Sequence, residues 1–437
     1  MSPRTPNPDP PHMINRIFLG WDRPPLHVAT EWLAQREAST GDFRRYLIVL
    51  PTSRAIRRLQ ELMAQEAASR SWPYYPPRML TIGQLPERLY EPKRPFAESA
   101  TQTLAWVRVL QEFDKERLAQ VLGRLPEPSD LRRWWALAEL LQSMHRELAS
   151  DRLDCQRVLD AVGDMGQDDE RSRWEILVSL EQRYLQCLDD VGLWDRQTAR
   201  LVALDRQEFA TDQQLILIGL ADLNRTTRDI LDAVADAVTA LVFAPDAVAD
   251  GFDAHGCLRP DFWHVYPIEI PDASWRIAES PLEAGYRVLD EMAGLLESDP
   301  GLGPHDVTVA LPDESLLPVL QTLARSAGIQ IDDAIGRPLD QTPLFRWMAS
   351  VADWMTSRRF AALAELVRHP WMERWLSGQS ELDVNVPTLL DEYHGTFLPQ
   401  TLGRRWPDVA AGADDSRLAR RYGRLVRSMK RLVASID

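Results

Sequence analysis

Gln214 to Pro245 reads QLILIGLADLNRTTRDILDAVADAVTALVFAP, and its order of strand, loop, helix and strand decides the fold. Leu215–Ile218 is a short, wholly apolar run, the pattern of a parallel strand covered on both faces. Asn224 stands where a helix N-cap belongs. Ile230, Leu231, Val234 and Val238 follow at helical spacing. Leu241–Ala244 then reads as a second buried strand, stopped by Pro245. A nucleotide hydrolase of this topology ends the first strand in acidic residues that hold magnesium. Here that strand ends in Gly219-Leu220.

Working outward, the same alternation recurs upstream. Ile14–Leu19 is a strand candidate followed by Gly20-Trp21-Asp22-Arg23-Pro24-Pro25 and a helix from Leu26 to Ala38. A phosphate-binding loop at this turn needs several glycines and a lysine. Only Gly20 is present, and the two prolines remove N–H donors. Tyr46–Leu50 is a second strand, turned by Pro51-Thr52-Ser53 into a helix over Arg54–Ala68 with Arg54, Arg57 and Arg58 at its start. Met79–Ile82 is a third strand, closed by Gly83-Gln84. Three strand–helix steps in a row imply a doubly wound parallel sheet. Between about Ala97 and Ala210 helical periodicity replaces the strand pattern. An all-helical insertion is therefore expected between strands of one sheet.

After Pro245 a second α/β unit is expected. Its strands would be Trp275–Ala278, Val307–Leu311 and Gly328–Ile331, and its helices Pro281–Leu296 and Leu316–Ser326. Helices over Pro343–Met355, Arg359–Arg368 and Ser416–Val433 follow. The last carries Arg417, Arg420, Arg424, Arg427 and Arg431 on one stripe, and Leu418, Tyr422, Leu425, Met429 and Leu432 on another. The basic stripe suits a DNA backbone or a partner, and a solvated face is the competing reading.

Composition narrows the classes. The 437 residues suffice for about three domains, and a hydrophobic fraction of 45% rules out a disordered chain. A formal net charge of −15 gives no global attraction for phosphate, so any nucleic-acid contact must use a local basic face. Cys155, Cys187 and Cys257 are scattered, which points to a reducing cytoplasm and away from a metal or iron–sulfur site within this chain. MSPRTPNPDPPHM reads as a disordered leader, and no apolar run is long enough to span a membrane. Glu91-Pro92-Lys93 matches the tail of an E-x-K nuclease signature, but proline is poor in a central strand. Of Trp134-Trp135, one should be core and the other should face outward.

Several stretches together resemble the AddB-type subunit of the AddAB helicase–nuclease, an inactivated superfamily 1 helicase. YLIVLPTSRAIRRLQELM (46–63) resembles the strand and helix where Thr52, Ser53 and Arg54 fall on a motif contacting single-stranded DNA. LTIGQL (80–85) is similar to the next such motif and contributes Gln84. LILIGLADLNRTTRDIL resembles a degenerate Walker B segment, in which Gly219 and Leu220 replace Asp-Glu. FDAHGCLRPDFW (252–263), the segments from Ser280 to Ala349, and LAELVRHPWM (363–372) are similar to the join and to the start of the second motor-like half.

The resemblance implies RecA-like parallel sheets of a superfamily 1 helicase scaffold with large helical insertions. A leader would occupy 1–13. A first RecA-like domain would take 14–96 plus 211–272, with a helical insertion at 97–210. A second RecA-like domain would start at 273–357, and a second insertion at 358–437, which by comparison with the family would be truncated in this gene or fragment. It implies no catalytic, nucleotide-binding or metal site in these residues and no cofactor. Gly20, Gly219 and Leu220 would be the degenerate nucleotide positions, and Thr52, Ser53, Arg54, Gln84, Arg417, Arg420 and Arg424 the DNA-binding ones. The partners would be single-stranded or end DNA and an AddA-type motor, with no membrane, in double-strand break repair. Two alternatives stay open: the front part of a PD-(D/E)XK exonuclease whose catalytic domain lies beyond residue 437, and an interaction scaffold without DNA binding.

Overall fold

In the computed structural model, Tyr46–Leu50 is buried along its whole length as an interior strand of a parallel sheet. The structure describes residues 14–37, 40–163, 168–336, 338–379, 385–401, 422–423, 425–427 and 429–433. The expected leader, 1–13, lies outside them. The chain divides into two compact units, Met1–Glu269 and Ile270–Asp437.

In the first unit the elements run β1 (Asn15–Phe18), α1 (Pro25–Arg36), β2 (Tyr46–Leu50), α2 (Ser53–Ser69), β3 (Arg78–Thr81) and a short α3 (Pro86–Leu89). Six helices follow before the sheet resumes: α4 (Ser99–Glu112), α5 (Lys115–Leu122), α6 (Leu131–Ser150), α7 (Cys155–Gly163), α8 (Asp168–Asp190) and α9 (Arg196–Asp205). Then come β4 (Gln214–Ile218), α10 (Arg225–Asp232), β5 (Val238–Val242) and α11 (Pro260–Val265). The strands are all parallel, in the order β1-β5-β4-β2-β3. One sheet with helices on both faces is an α/β architecture consistent with a Rossmann-like or RecA-like fold.

The apolar runs divide between the faces with the strand period of two. Ile48, Leu50, Ile216, Ile218 and Leu241 pack with Ala29 and Leu33 of α1 and Leu59 and Met63 of α2. Leu47, Val49, Leu215, Leu217, Val238 and Ala240 pack on the other face with Ala199, Ala203 and Leu204 of α9 and Ile230 and Leu231 of α10. The helical insertion thus returns to the sheet through its last helix. Asn224 caps α10 as expected, accepting from Thr227 N at 2.8 Å.

The last strand begins three residues before the expected Leu241. Val238 and Thr239 continue the helical spacing in sequence, yet Val238 pairs with Leu215 and Thr239 with Ile216. Both are β-branched, and α10 stops at Asp232.

The insertion has its own core, with Trp106, Trp134 and Tyr184 fully buried. Trp134 is the inward member of its pair, and its indole donates to Glu127 O at 3.0 Å. Trp135 instead donates to Glu139 on its own helix at 2.8 Å. At the centre, His145 of α6 is 4% exposed and bridges two carboxylates. Its Nδ1 lies 2.8 Å from Glu181 of α8, and its Nε2 lies 3.0 Å from Asp195. Asp195 also accepts from Tyr184 Oη at 2.9 Å and caps α9 through Thr198 N at 2.8 Å. Glu181 accepts from Cys155 N at 3.0 Å. One imidazole therefore joins four helices.

The second unit begins with α12 (Pro281–Ser298), α13 (Leu317–Ser326), α14 (Pro343–Ser357), α15 (Phe360–Arg368), α16 (Pro370–Gln379) and α17 (Val386–Phe397). Among its described residues there is no sheet, so the expected second set of parallel strands is corrected. Trp275–Ala278, Val307–Leu311 and Gly328–Ile331 share no backbone ladder. A parallel strand is stable when covered on both faces. Here Trp275 stays 54% and Val309 43% exposed. Instead α12 packs directly on α13, where a Cβ at Gly285 would lie 2.6 Å from Leu323 Cδ1. A separate helical core joins Trp354, Leu363, Val367, Leu389 and Tyr393 to Tyr422, Leu425, Met429 and Leu432. The apolar stripe of the terminal helix is therefore buried where it is described, and Arg427 and Arg431 are exposed.

Two measurements test the buried imidazole. Burial pulls the His145 pKa down, but the hydrogen bonds and charges of Asp195 and Glu181 outweigh it and raise the pKa to about 9. Burial pushes Asp195 up, but His145, Thr198 N and Tyr184 hold it at about 2. The histidine contribution to stability is thus whole below its unfolded pKa of 6.5 and is lost as pH rises through about 9. The aspartate contribution is whole above 3.8 and is lost as pH falls through about 2. Thermal unfolding of the protein against pH should show a plateau between these limits. His145→Ala should cost about 3–5 kcal/mol by leaving two buried carboxylates without their cation.

Candidate functional site

Open parallel sheets bind ligands beyond the carboxyl ends of their strands, where neighbouring connections leave on opposite faces. In this sheet that point lies between β2, followed by α2 on one face, and β4, followed by α10 on the other. The register sets Leu50 beside Thr81 and Val49 beside Leu217. Pro51-Thr52-Ser53-Arg54 therefore issues between the Gly83-Gln84 loop and the Gly219-Leu220 loop, each one strand spacing of roughly 5 Å away. The fold thus gathers Thr52, Ser53, Arg54, Gln84, Gly219 and Leu220 on one edge. Gly20 follows β1, three strands from β2 and so roughly 14 Å off. Arg417, Arg420 and Arg424 lie outside the described residues.

Thr52 is the N-cap of α2, its Oγ1 accepting from Ala55 N at 3.2 Å. Arg54, Arg57 and Arg58 are exposed on the first turns, and the first turn holds no acidic residue. Arg58 pairs with Glu61 one turn on, at 3.1 Å. Helix dipoles favour acidic residues at this end. Three arginines here add to the positive end of the dipole instead of cancelling it. Gln84 Oε1 accepts from Thr81 N at 3.2 Å.

The nucleotide positions are filled by other chemistry. Gly20, at φ +75°, donates to Ala244 O at 3.0 Å, and so ties the turn after β1 to the segment after β5. Pro24 and Pro25 bring no donor to the start of α1. The amides of His27 and Val28 are both taken by Pro24 O, at 3.1 and 3.3 Å. Gly219 is left-handed at φ +61°, and a Cβ there would meet the Phe243 ring at 3.0 Å. Leu220 is buried in the sheet core. Leu220 has no room for a solvated carboxylate, and at Gly219 any side chain would be strained by the left-handed backbone and crowded by Phe243.

Residues that the sequence did not single out close this edge. Arg200 of α9 reaches Glu87 with Nε–Oε1 at 2.6 Å and Nη2–Oε2 at 2.9 Å, and donates to Gly83 O at 3.0 Å. The segment after β5 is drawn in by Leu258 N, which donates to Ala221 O at 2.9 Å, and by Arg16, which donates to Phe252 O and Asp253 O at 3.0 and 3.1 Å. Asp253 is paired with Arg228 and accepts from His255 N and Cys257 N at 2.9 and 3.0 Å. Burial pushes its pKa up, but these partners hold it below the usual carboxylate range. Lys93 of the E-P-K stretch pairs with Glu208 at 2.6 Å, away from any strand.

No family model matches the chain, and no curated protein matches it. Its described residues define an α/β protein with one five-stranded parallel sheet and a helical insertion. Among the described residues, no helix is long and apolar enough to cross a membrane.

Substitutions at the filled positions test this geometry. Leu220→Glu should destabilise the protein by about 3 kcal/mol or more in thermal unfolding, because it buries an unpaired carboxylate. Gly219→Ala should cost about 1–2 kcal/mol from the left-handed backbone alone. The double change to Asp-Glu should release no phosphate from ATP above the wild-type level.

Proposed function

We propose that this chain is a non-hydrolysing, helicase-like accessory module of a helicase–nuclease complex that processes DNA double-strand ends. In this reading it is of the AddB type, holds single-stranded DNA, and works beside an AddA-type motor. The strand crosses the carboxyl ends of β3, β2 and β4, with Thr52, Ser53, Arg54 and Gln84 as its contacts and Arg57 and Arg58 meeting its phosphates beside them.

One observation carries the reading: the first turn of α2, basic and without an acidic residue, lies at the switch point of the sheet in an otherwise acidic protein. Arginines at a helix N-terminus add to its positive end, and the two together favour a bound anion. A phosphate backbone is such an anion. Thr52 keeps the helix end in place, Arg54, Arg57 and Arg58 supply charge, and Gly219-Leu220 supplies a wall without carboxylates. Such a site holds a strand electrostatically and carries no group for phosphoryl transfer.

Binding of a fluorescein-labelled oligo(dT), followed by anisotropy, tests it. Affinity should fall steeply with salt. Arg54→Ala, Arg57→Ala and Arg58→Ala together should lower the slope of log K against log salt by about 2, as for three lost contacts to single-stranded DNA. Absence of binding at low salt, with and without the partner motor, would sink the proposal.

A further inference from the structure

Arg200 is distant in sequence from the edge it reaches. It sits on the last helix of the insertion, only 15% exposed, against a Glu87 that is 17% exposed. Its two-pronged pair with Glu87 fixes the guanidinium plane, and the remaining Nη2 bond goes to Gly83 O. The next residue, Gln84, has its carbonyl oxygen turned back to accept from Thr81 N. A backbone N–H can only be met by the oxygen of that amide, so the orientation of Gln84 is settled. Its N–H2 group is then the end offered outward, from an exposed side chain at the carboxyl end of β3. A donor in that place suits an acceptor on the ligand, which in a DNA strand is a phosphate oxygen or a base carbonyl.

We infer that Arg200 is a positioning residue for DNA: it holds the Gly83-Gln84 loop so that Gln84 presents its amide N–H2 to the strand. The inference rests on the proposed single-strand site and adds a residue that does not touch the ligand. It also gives the insertion a task, because α9 is anchored at its start by Asp195 and His145 and delivers Arg200 one turn later.

A double-mutant cycle on the full chain tests it, read by oligo(dT) anisotropy together with amide hydrogen exchange of Gly83–Leu85. Arg200→Met and Gln84→Ala should each weaken binding about tenfold, the worth of one hydrogen bond to a charged or strongly polar partner. The double variant should also be about tenfold weaker, because both changes remove the same contact. Arg200→Met should leave the salt slope unchanged and speed exchange at Gly83–Leu85. Glu87→Gln, which loosens Arg200 without removing it, should give a smaller loss in the same direction and covers the case in which Arg200→Met does not fold.

A roughly hundredfold loss in the double variant would overturn the inference, since the two residues would then act separately. So would a lower salt slope in Arg200→Met, which would make Arg200 a phosphate contact. Wild-type affinity in Arg200→Met would overturn it and leave the site itself standing. Failure of the unmutated protein to bind oligo(dT) would refute the DNA site and the DNA role of Arg200 together. The exchange rates would then still decide whether Arg200 holds the loop.

Discussion

Dehydration of β2 and β4 from both sides is the constraint on which the first unit depends. Apart from the Tyr46 hydroxyl, which donates to Glu37 at 2.8 Å, these strands carry no polar side chain along their buried stretches, so each face must be roofed by helices. The roof on one side comes from α1 and α2, the helices that follow β1 and β2. The roof on the other side needs α9 and α10, and α9 belongs to the insertion. The insertion is therefore part of the sheet's cover as well as an excursion from it. The switch in face between α2 and α10 falls between Thr52 and Gly219.

Electrostatics divides the same unit into two regimes. Inside the insertion, opposite charges are paired and buried: His145 lies between Asp195 and Glu181 and joins four helices. At the start of α2 the charges are exposed, and its first turn holds no acidic residue. Nearby acids are already engaged, Asp253 by Arg228 and Glu87 by Arg200. The first turn of α2 holds no acidic residue of its own, and Arg58 is answered by Glu61 one turn on, in a protein whose net charge is negative.

What the sequence revealed followed the range of the signal. Apolar runs of four or five residues marked β2 and β4, and Asn224 marked the start of α10, because these are local properties. The start of β5 was misplaced because Val238 fits both a helical and a strand pattern, and only its pairing with Leu215 decides. The three strand-like segments of the second unit failed for the same reason, since a strand needs a neighbour and periodicity cannot supply one. Thr52, Arg54 and Gln84 could be brought to one edge from strand order alone. Arg200 could not, because its partner Gly83 lies 117 positions away. His145 gave no hint either: its two carboxylates come from elsewhere in the chain, so in sequence it is one histidine on a helix.

The place of the insertion in the chain also bears on biosynthesis. β2 and β3 leave the ribosome early, whereas β4, which must pair with β2, follows after roughly 130 further residues. At ordinary rates of translation that gap lasts on the order of ten seconds. For that interval the apolar edge of β2 has no mate, and the nascent chain is open to wrong pairing. Helices of the insertion, rich in local contacts, can form during the wait. Synthesis speed and chaperone supply should therefore govern the yield of this protein more than its final stability does.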